Sequence, residues 1–199
     1  MKKIEKPVEI EEGDSFKVIL SKYGALALDK QENLSELIGE TIGDLDIEKG
    51  NITFGDIEMP VQILGFYSAD LNQWSWAWDN EEIFGADLIK AACDIKEIGD
   101  KFEVPEFNAP LIQTDYNHCH PIAMSATAIL GYDAYYAVSE EGLDIFVAIK
   151  SDLIKENNEV KKFRDTYYTF QKNFNVYPTI AFESYTKLKG YGFKPHDDF

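Results

Sequence analysis

The sequence predicts an α+β fold in which an antiparallel sheet of about six strands, built from hairpins, packs against an N-terminal helix, two middle helices and a C-terminal helical pair. Apolar residues recur at intervals of three and four over residues 16–38, which is typical of an amphipathic helix. Residues 61–80 and 132–150 instead contain pairs of β-rich runs joined by short polar segments, which is typical of hairpins. Helical spacing returns after residue 160.

The N-terminal helix is predicted to begin after Asp14 or Ser15, since either side chain can cap it. It should end near Ile38, because Gly39 supplies a stop. The apolar positions of this helix are Phe16, Ile19, Leu20, Tyr23, Leu26, Ala27, Leu34, Leu37 and Ile38. The acidic residues 1–14 are expected to be flexible, so a single domain is predicted over residues 15–192, with 193–199 as a C-terminal tail.

The first hairpin is predicted from residues 45–48 and 51–54, which flank the turn-forming pair Lys49-Gly50. Pro60 has no N–H to donate within a sheet, so we place it at the entry to a central hairpin and not inside a strand. The first strand of that hairpin is then expected to cover residues 61–68.

The second strand of the central hairpin contains all three tryptophans. Trp74, Trp76 and Trp78 alternate with small or polar residues. Because side chains alternate across a strand, the three indoles are predicted to share one face of the sheet. Such a stripe is either the main core of the protein or an aromatic platform for a ligand, and the sequence leaves both open.

The segment after the tryptophans is predicted to be helical. Asn80 lies where an N-cap belongs, and Glu81 and Glu82 would occupy the first turn, where the helix dipole favours negative charge. Apolar residues continue at helical spacing as far as Ile95. Residues 101–110 contain two prolines and no helical period, so we expect an extended, irregular segment.

A short run containing His118, Cys119 and His120 suggests a metal site or a thiol nucleophile. The spacing argues against both, because residues two apart diverge on a helix and no other Cys/His cluster completes a site. Pro121 fits the first turn of a helix over residues 122–130, which would leave the histidines in the preceding loop. We therefore predict no metal, no cofactor and no catalytic residue, and two free thiols at Cys93 and Cys119.

A third hairpin is predicted over residues 132–139 and 143–150, with the turn at Glu140-Glu141-Gly142. Tyr135 and Tyr136 then lie on opposite faces of its first strand. The C-terminal helical pair is predicted from two further apolar patterns, one over residues 160–174 and one over 179–189.

The net charge of −17 is concentrated in the middle of the chain. Residues 61–154 carry 16 acidic and 4 basic side chains, and the chain has one arginine, Arg164. Such a field repels nucleic acid and anionic membranes and would attract a basic partner, although solubility alone also explains it. No apolar run reaches the length of a membrane span and no signal peptide is present, so a cytoplasmic protein is expected.

Several stretches together resemble a family of microbial proteins catalogued only as a domain of unknown function. They are YGALALDKQENLSELIG, NITFGD, LGFYS, WSWAWDN, AYYAV and IFVAI, in that order, followed by two helices. The resemblance spans roughly residues 16–192, and the tryptophan-rich strand is its most specific part; Gln31 and the Tyr135-Tyr136 pair are weaker supports. It implies one α+β domain and no established activity, cofactor or catalytic residue.

Two non-enzymatic functions remain, since the sequence contains no phosphate-binding loop, nucleophile elbow or metal-binding helix motif. The first is a protein-interaction module whose acidic face binds a basic protein, as acidic immunity proteins do with nuclease toxins; this analogy rests on charge alone. The second is a small-molecule binder with an aromatic pocket at the sheet–helix junction. Candidate lining residues for such a pocket are Trp74, Trp76, Trp78, Tyr116, His118, Tyr135 and Tyr136.

Overall fold

The computed structural model of the protein describes residues 8–140 and 142–192. Over these residues it contains seven helices and an open antiparallel sheet of seven strands, which confirms the predicted α+β fold class with one strand more than expected. The predictions for residues 1–7 and 193–199 lie outside the described residues. Among the helices described, none combines the length and apolar character needed to cross a membrane.

The helices are α1 Phe16–Ile38, α2 Glu81–Phe84, α3 Lys90–Phe102, α4 Pro105–Asn108, α5 Tyr116–Ile129, α6 Val160–Asn173 and α7 Pro178–Leu188. The strands are β1 Asp44–Asp46, β2 Asn51–Phe54, β3 Ile57–Ser68, β4 Gln73–Trp76, β5 Leu111–Gln113, β6 Ala134–Glu140 and β7 Leu143–Ile149. Two 3₁₀ turns, Ala77–Asp79 and Ala86–Leu88, flank α2. The predicted N-terminal helix, the β1–β2 and β6–β7 hairpin pairings and the C-terminal helical pair are thereby confirmed.

The long strand β3 organises the sheet. Its first part pairs with β2, its second part pairs with β7, and its last four residues also pair with β4. The pairing with β7 shifts register between Ile63 and Gly65. A Cβ atom at Gly65 would lie 2.4 Å from the carbonyl oxygen of Ser75 and 2.9 Å from the Trp74 ring. Glycine at this position therefore lets β4 and its first indole approach β3 closely.

Pro60 lies inside β3, opposite Asn51, so the prediction that it lies outside a strand, at the entry to the central hairpin, is wrong. The side chain is exposed, and the next residue, Val61, is the first to pair with β7. A residue without an N–H is tolerated there because the strand changes partners at this point.

The tryptophan-rich segment leaves the sheet earlier than predicted. Trp74 and Trp76 lie in β4 and are fully buried, whereas the chain turns into a 3₁₀ conformation at Ala77 and leaves Trp78 half-buried. The prediction of three indoles on one strand face is therefore wrong for Trp78. The side chain of Asn80 donates a hydrogen bond to the carbonyl oxygen of Trp76 at 2.9 Å and does not cap α2.

The helical segment after Asn80 is interrupted. Gly85 adopts a positive φ of 77°, which ends α2 after four residues, and regular helix resumes only at Lys90. The region predicted as irregular contains the end of α3 and all of α4, and it is followed by β5, which the sequence did not predict. The β5 strand has no strong pattern of its own and forms by pairing with β4.

Helix α5 begins at Tyr116, six residues earlier than expected, so the prediction that the histidines lie in a loop is wrong. Asp115 is the N-cap, and its Oδ1 accepts a hydrogen bond from the backbone N–H of His118 at 3.2 Å. Pro121 lies in the body of the helix and not in its first turn, so its predicted position is also wrong.

Candidate functional site

A cleft of about 830 Å³ opens between α1, α5 and β6, and its remaining walls come from Glu106 of α4 and from the end of α6 with the segment that follows it. The apolar part of its lining comes mainly from Phe16, Leu20, Leu28, Met124 and Phe174. This volume is within the range of roughly 300–1,000 Å³ typical of ligand pockets. Lys17 and Gln31 both line the cleft and are about 21 Å apart along the axis of α1, so the cleft is elongated.

One end of the cleft contains a cluster of polar side chains that come from three secondary-structure elements. The Nδ1 atom of His120 in α5 lies 3.0 Å from the hydroxyl oxygen of Tyr135 in β6. Gln31 in α1 accepts a hydrogen bond at Oε1 from the backbone N–H of Tyr135 at 3.3 Å. This N–H lies on the edge of β6 that has no neighbouring strand, because β6 pairs with β7 alone. The three side chains therefore close a sheet edge and line a cleft at the same place.

Burial favours the neutral form of the His120 imidazole. Burial lowers the pKa of His120, and burial also raises the pKa of the Tyr135 hydroxyl. A neutral tyrosine has one proton to donate, and no other described residue accepts it. The Tyr135 hydroxyl is satisfied when it donates to Nδ1, and on this basis we assign the imidazole proton to Nε2. No described residue bonds to that Nε2–H, so His120 offers the cleft a hydrogen-bond donor.

An aromatic cluster centred on Phe146 of β7 supports this end of the cleft. The Phe146 ring lies 5.1 Å from the ring of Trp74 and 6.0 Å from that of Tyr116. It also lies 5.5 Å from the ring of His120 and 6.4 Å from that of Tyr135. These contacts extend from the buried core to the wall of the cleft, so the orientation of His120 and Tyr135 is fixed by close packing.

The structure brings some of the seven candidate site residues together and separates others. His118 and Tyr135 line the cleft, and Tyr116 packs against His120 at 4.9 Å. Trp74 and Trp76 have no exposed surface, so neither contacts a ligand in this conformation.

The remaining two candidates lie elsewhere. Tyr136 packs edge-to-face on Phe54 at 4.9 Å and accepts a hydrogen bond from Gly43, which ties β6 to the β1–β2 hairpin. Trp78 lies beneath Lys96, whose Nζ is 5.2 Å from its ring. The aromatic stripe and the cleft are therefore different places, although Trp74 supports the cleft through Phe146.

Cys119 is not suited to nucleophilic chemistry. Its side chain is fully buried, and burial raises the pKa of the thiol to about 12. His118, the neighbouring histidine, points to solvent and lies 3.0 Å from a carboxylate oxygen of Asp115. Within the described residues, no three His, Cys, Asp or Glu side chains converge as metal ligands would.

Three residues of the site were missed or dismissed at the sequence level. His118 and not His120 was predicted as a pocket residue, whereas both side chains line the cleft and His120 alone bonds to Tyr135. Phe146 was not singled out, because it is one of several apolar residues in the β-rich run that forms β7. Gln31 was noted only as part of the family resemblance, and its role depends on Tyr135, which is 104 positions away in sequence.

The fold and the cleft define the class of protein: an α+β domain that encloses a cleft between two helices and the open edge of an antiparallel sheet. A family model described as "Family of unknown function (DUF6882)" matches residues 18–152, and the chain belongs to this family. The match confirms the resemblance stated from the sequence and extends from α1 through β7, whereas α6 and α7 lie beyond it. No curated protein and no solved structure matches the chain significantly.

Proposed function

We propose that this protein binds a small amphipathic molecule in the cleft between α1, α5 and β6. The observation that carries the proposal is the His120–Tyr135 hydrogen bond of 3.0 Å at the wall of an 830 Å³ cleft. It fixes a neutral imidazole whose Nε2–H has no partner among the described residues. An oriented donor beside apolar side chains is the usual make-up of a small-molecule site.

The proposed ligand carries a hydrogen-bond acceptor at one end and an apolar body. Its acceptor oxygen would bond to Nε2 of His120, and the side-chain amide N–H of Gln31 lies in the same wall. Its apolar body would pack against Leu28 and Met124. Binding requires no covalent step, since the buried Cys119 thiol stays protonated.

The test is a fragment screen by ligand-observed NMR, in which each hit is repeated on a variant with a filled cleft. Leu28→Trp places an indole ring in the cleft. Leu71→Trp adds the same ring at a position that is 63% exposed and lies outside the cleft. We expect acceptor-bearing fragments whose binding is lost in Leu28→Trp and kept in Leu71→Trp. Fragments that bind all three proteins equally, or no fragments at all, would overturn the proposal.

A second candidate function is recognition of a basic protein partner. Ile83 is 67% exposed and lies in a shallow depression with Asp79, Glu81, Glu82 and the half-buried Trp78. An exposed apolar side chain among carboxylates suits a basic amphipathic segment.

This second candidate is tested by calorimetric titration with an amphipathic Lys/Leu peptide at low and high NaCl. We expect the peptide to bind more weakly as the salt concentration rises. Binding should be reduced in Ile83→Ser but not in Ile42→Ser, because Ile42 is 83% exposed and lies outside the depression. An equal loss in the two variants would mean that the peptide binds without using this surface.

A further inference from the structure

The end of the cleft opposite His120 carries one positive and one negative side chain. Lys17 of α1 and Glu106 of α4 both line the cleft, and both are half-buried. The ring of Phe16 packs edge-to-face on that of Phe107 at 5.8 Å, and these residues adjoin Lys17 and Glu106 in sequence. The contact joins the first turn of α1 to α4, so both charged residues are placed where these two helices meet in the wall of the cleft.

Neither charge is neutralised by a salt bridge with a described residue. The Nζ atom of Lys17 donates a hydrogen bond to Oδ1 of Asn175 at 2.8 Å and lies 4.5 Å from the Tyr177 ring centroid. The backbone carbonyl of Glu106 accepts a hydrogen bond from Trp76 Nε1, but its carboxylate has no hydrogen-bond partner in the described part of the chain. The two groups are also more than 4.0 Å from each other, since they form no salt bridge.

This arrangement discriminates between ligands by charge. A ligand with a single charge at this end is attracted by one of the two side chains and repelled by the other. A ligand with an ammonium and a carboxylate close together is attracted by both. The cleft next to this pair is apolar, with Leu20 and Phe174 in its wall.

We infer that the cleft recognises an α-amino acid with a long apolar side chain. The carboxylate is bound by Lys17 and the ammonium by Glu106, and the side chain extends along the cleft past Leu20 toward Met124. This inference rests on the proposed small-molecule function and names its ligand class. The C-terminal helical pair takes part, because Asn175, which orients Lys17, lies between α6 and α7.

The test compares three matched ligands by isothermal titration calorimetry. They are 2-aminooctanoate, octanoate, which lacks the ammonium, and heptylamine, which lacks the carboxylate. We expect 2-aminooctanoate to bind about tenfold more tightly than either, the effect of one charge-assisted hydrogen bond. Lys17→Met should weaken binding of 2-aminooctanoate but not of heptylamine, and Glu106→Gln should weaken binding of 2-aminooctanoate but not of octanoate.

Control variants separate the charge effect from general effects on the protein. Lys101→Met and Glu97→Gln remove exposed charges on α3 outside the cleft and should change nothing. Lys17→Arg keeps the charge and should retain binding, even if Lys17→Met lowers stability through its lost contact with Asn175.

The outcomes distinguish this inference from the proposed function. If octanoate or heptylamine binds as tightly as 2-aminooctanoate, or if none of the three binds while fragments still bind in a Leu28-dependent way, the amino-acid inference is overturned and the small-molecule function stands. If neither the three ligands nor any fragment depends on the cleft, both are overturned.

Discussion

The Nδ1 atom of His120 and the hydroxyl oxygen of Tyr135 are 3.0 Å apart, and this contact joins helix α5 to strand β6 at the wall of the cleft. Burial lowers the pKa of His120 and raises the pKa of the Tyr135 hydroxyl, so it favours the neutral form of both groups. The tautomer that follows, with the proton on Nε2, is measurable. Long-range ¹H–¹⁵N correlation spectra should show the Nε2–H form of His120, and Tyr135→Phe should shift the equilibrium toward a mixture. A predominant Nδ1–H form in the wild type would contradict the assignment.

The same histidine should make stability depend on pH. Since burial lowers its pKa in the folded state below 6.5, the unfolded chain binds a proton more readily than the folded one. Its contribution to stability is therefore complete above about pH 6.5 and is lost as the pH falls toward the folded-state pKa. Urea denaturation at pH 8 and pH 5 should show a smaller pH dependence in His120→Asn than in the wild type. A pH dependence in His120→Asn as large as that of the wild type would contradict the prediction.

Asp29 anchors the C-terminal helical pair to α1 through buried charges. Its side chain is 1% exposed, lies 2.7 Å from Nζ of Lys189 and accepts a hydrogen bond from the Tyr185 hydroxyl at 3.0 Å. Asp29→Ala leaves Lys189 buried without its partner, so we expect a loss of about 3–5 kcal/mol in the free energy of unfolding. Tyr185→Phe removes one hydrogen bond and should cost about 1–3 kcal/mol. Asp87→Ala, at a position 95% exposed, should stay within about 0.5 kcal/mol in the same urea titrations.

Gly65 should tolerate no side chain. Because a Cβ atom there would lie 2.4 Å from a backbone carbonyl oxygen in the middle of the sheet, Gly65→Ala forces β3 and β4 apart. We expect about 1–3 kcal/mol of destabilisation from overpacking. Gly192→Ala, where no atom of the described residues lies within 4 Å of the new methyl group, is the matched control for thermal unfolding. Equal melting temperatures of the two variants would contradict the prediction.

The tryptophans should differ in their access to solvent. Trp74 and Trp76 are fully buried and Trp78 is half-buried, so acrylamide should quench a minority of the native fluorescence. Trp78→Phe should remove most of that quenchable emission and leave a blue-shifted spectrum. Strong quenching that persists in Trp78→Phe would mean that the core indoles are reached by solvent.

The two cysteines should react at very different rates. Cys93 is exposed, whereas Cys119 is buried with a pKa of about 12. Ellman's reagent at pH 8 should therefore titrate Cys93 in the native protein and both thiols in guanidinium chloride. Cys93→Ser should abolish the native reaction, and a remaining fast reaction would show that α5 opens readily.

The sequence by itself determined the elements whose residues bury one face of a regular structure. Helix α1, the helices α6 and α7 and the β6–β7 hairpin follow from periodicity and turn residues, because the spacing of apolar side chains reports directly which face is buried. The family resemblance rested partly on the same stretches and most specifically on the tryptophan-rich strand. The divergence of His118 and His120 was also implicit in their spacing.

Tertiary structure alone decided where the chain departs from local pattern and where the cleft lies. The alternation of the tryptophans continues through Trp78, but the strand ends at Trp76, where the Asn80 side chain bonds to the Trp76 carbonyl and the backbone turns. The short strand β5 exists because β4 offers it hydrogen-bond partners. The cleft joins Lys17, Gln31, His120 and Tyr135 from three elements, and their contacts depend on how α1 and α5 pack on the sheet. Periodicity specifies which residues are buried within an element, whereas the relative placement of distant elements is set by long-range packing and hydrogen bonds that no local pattern encodes.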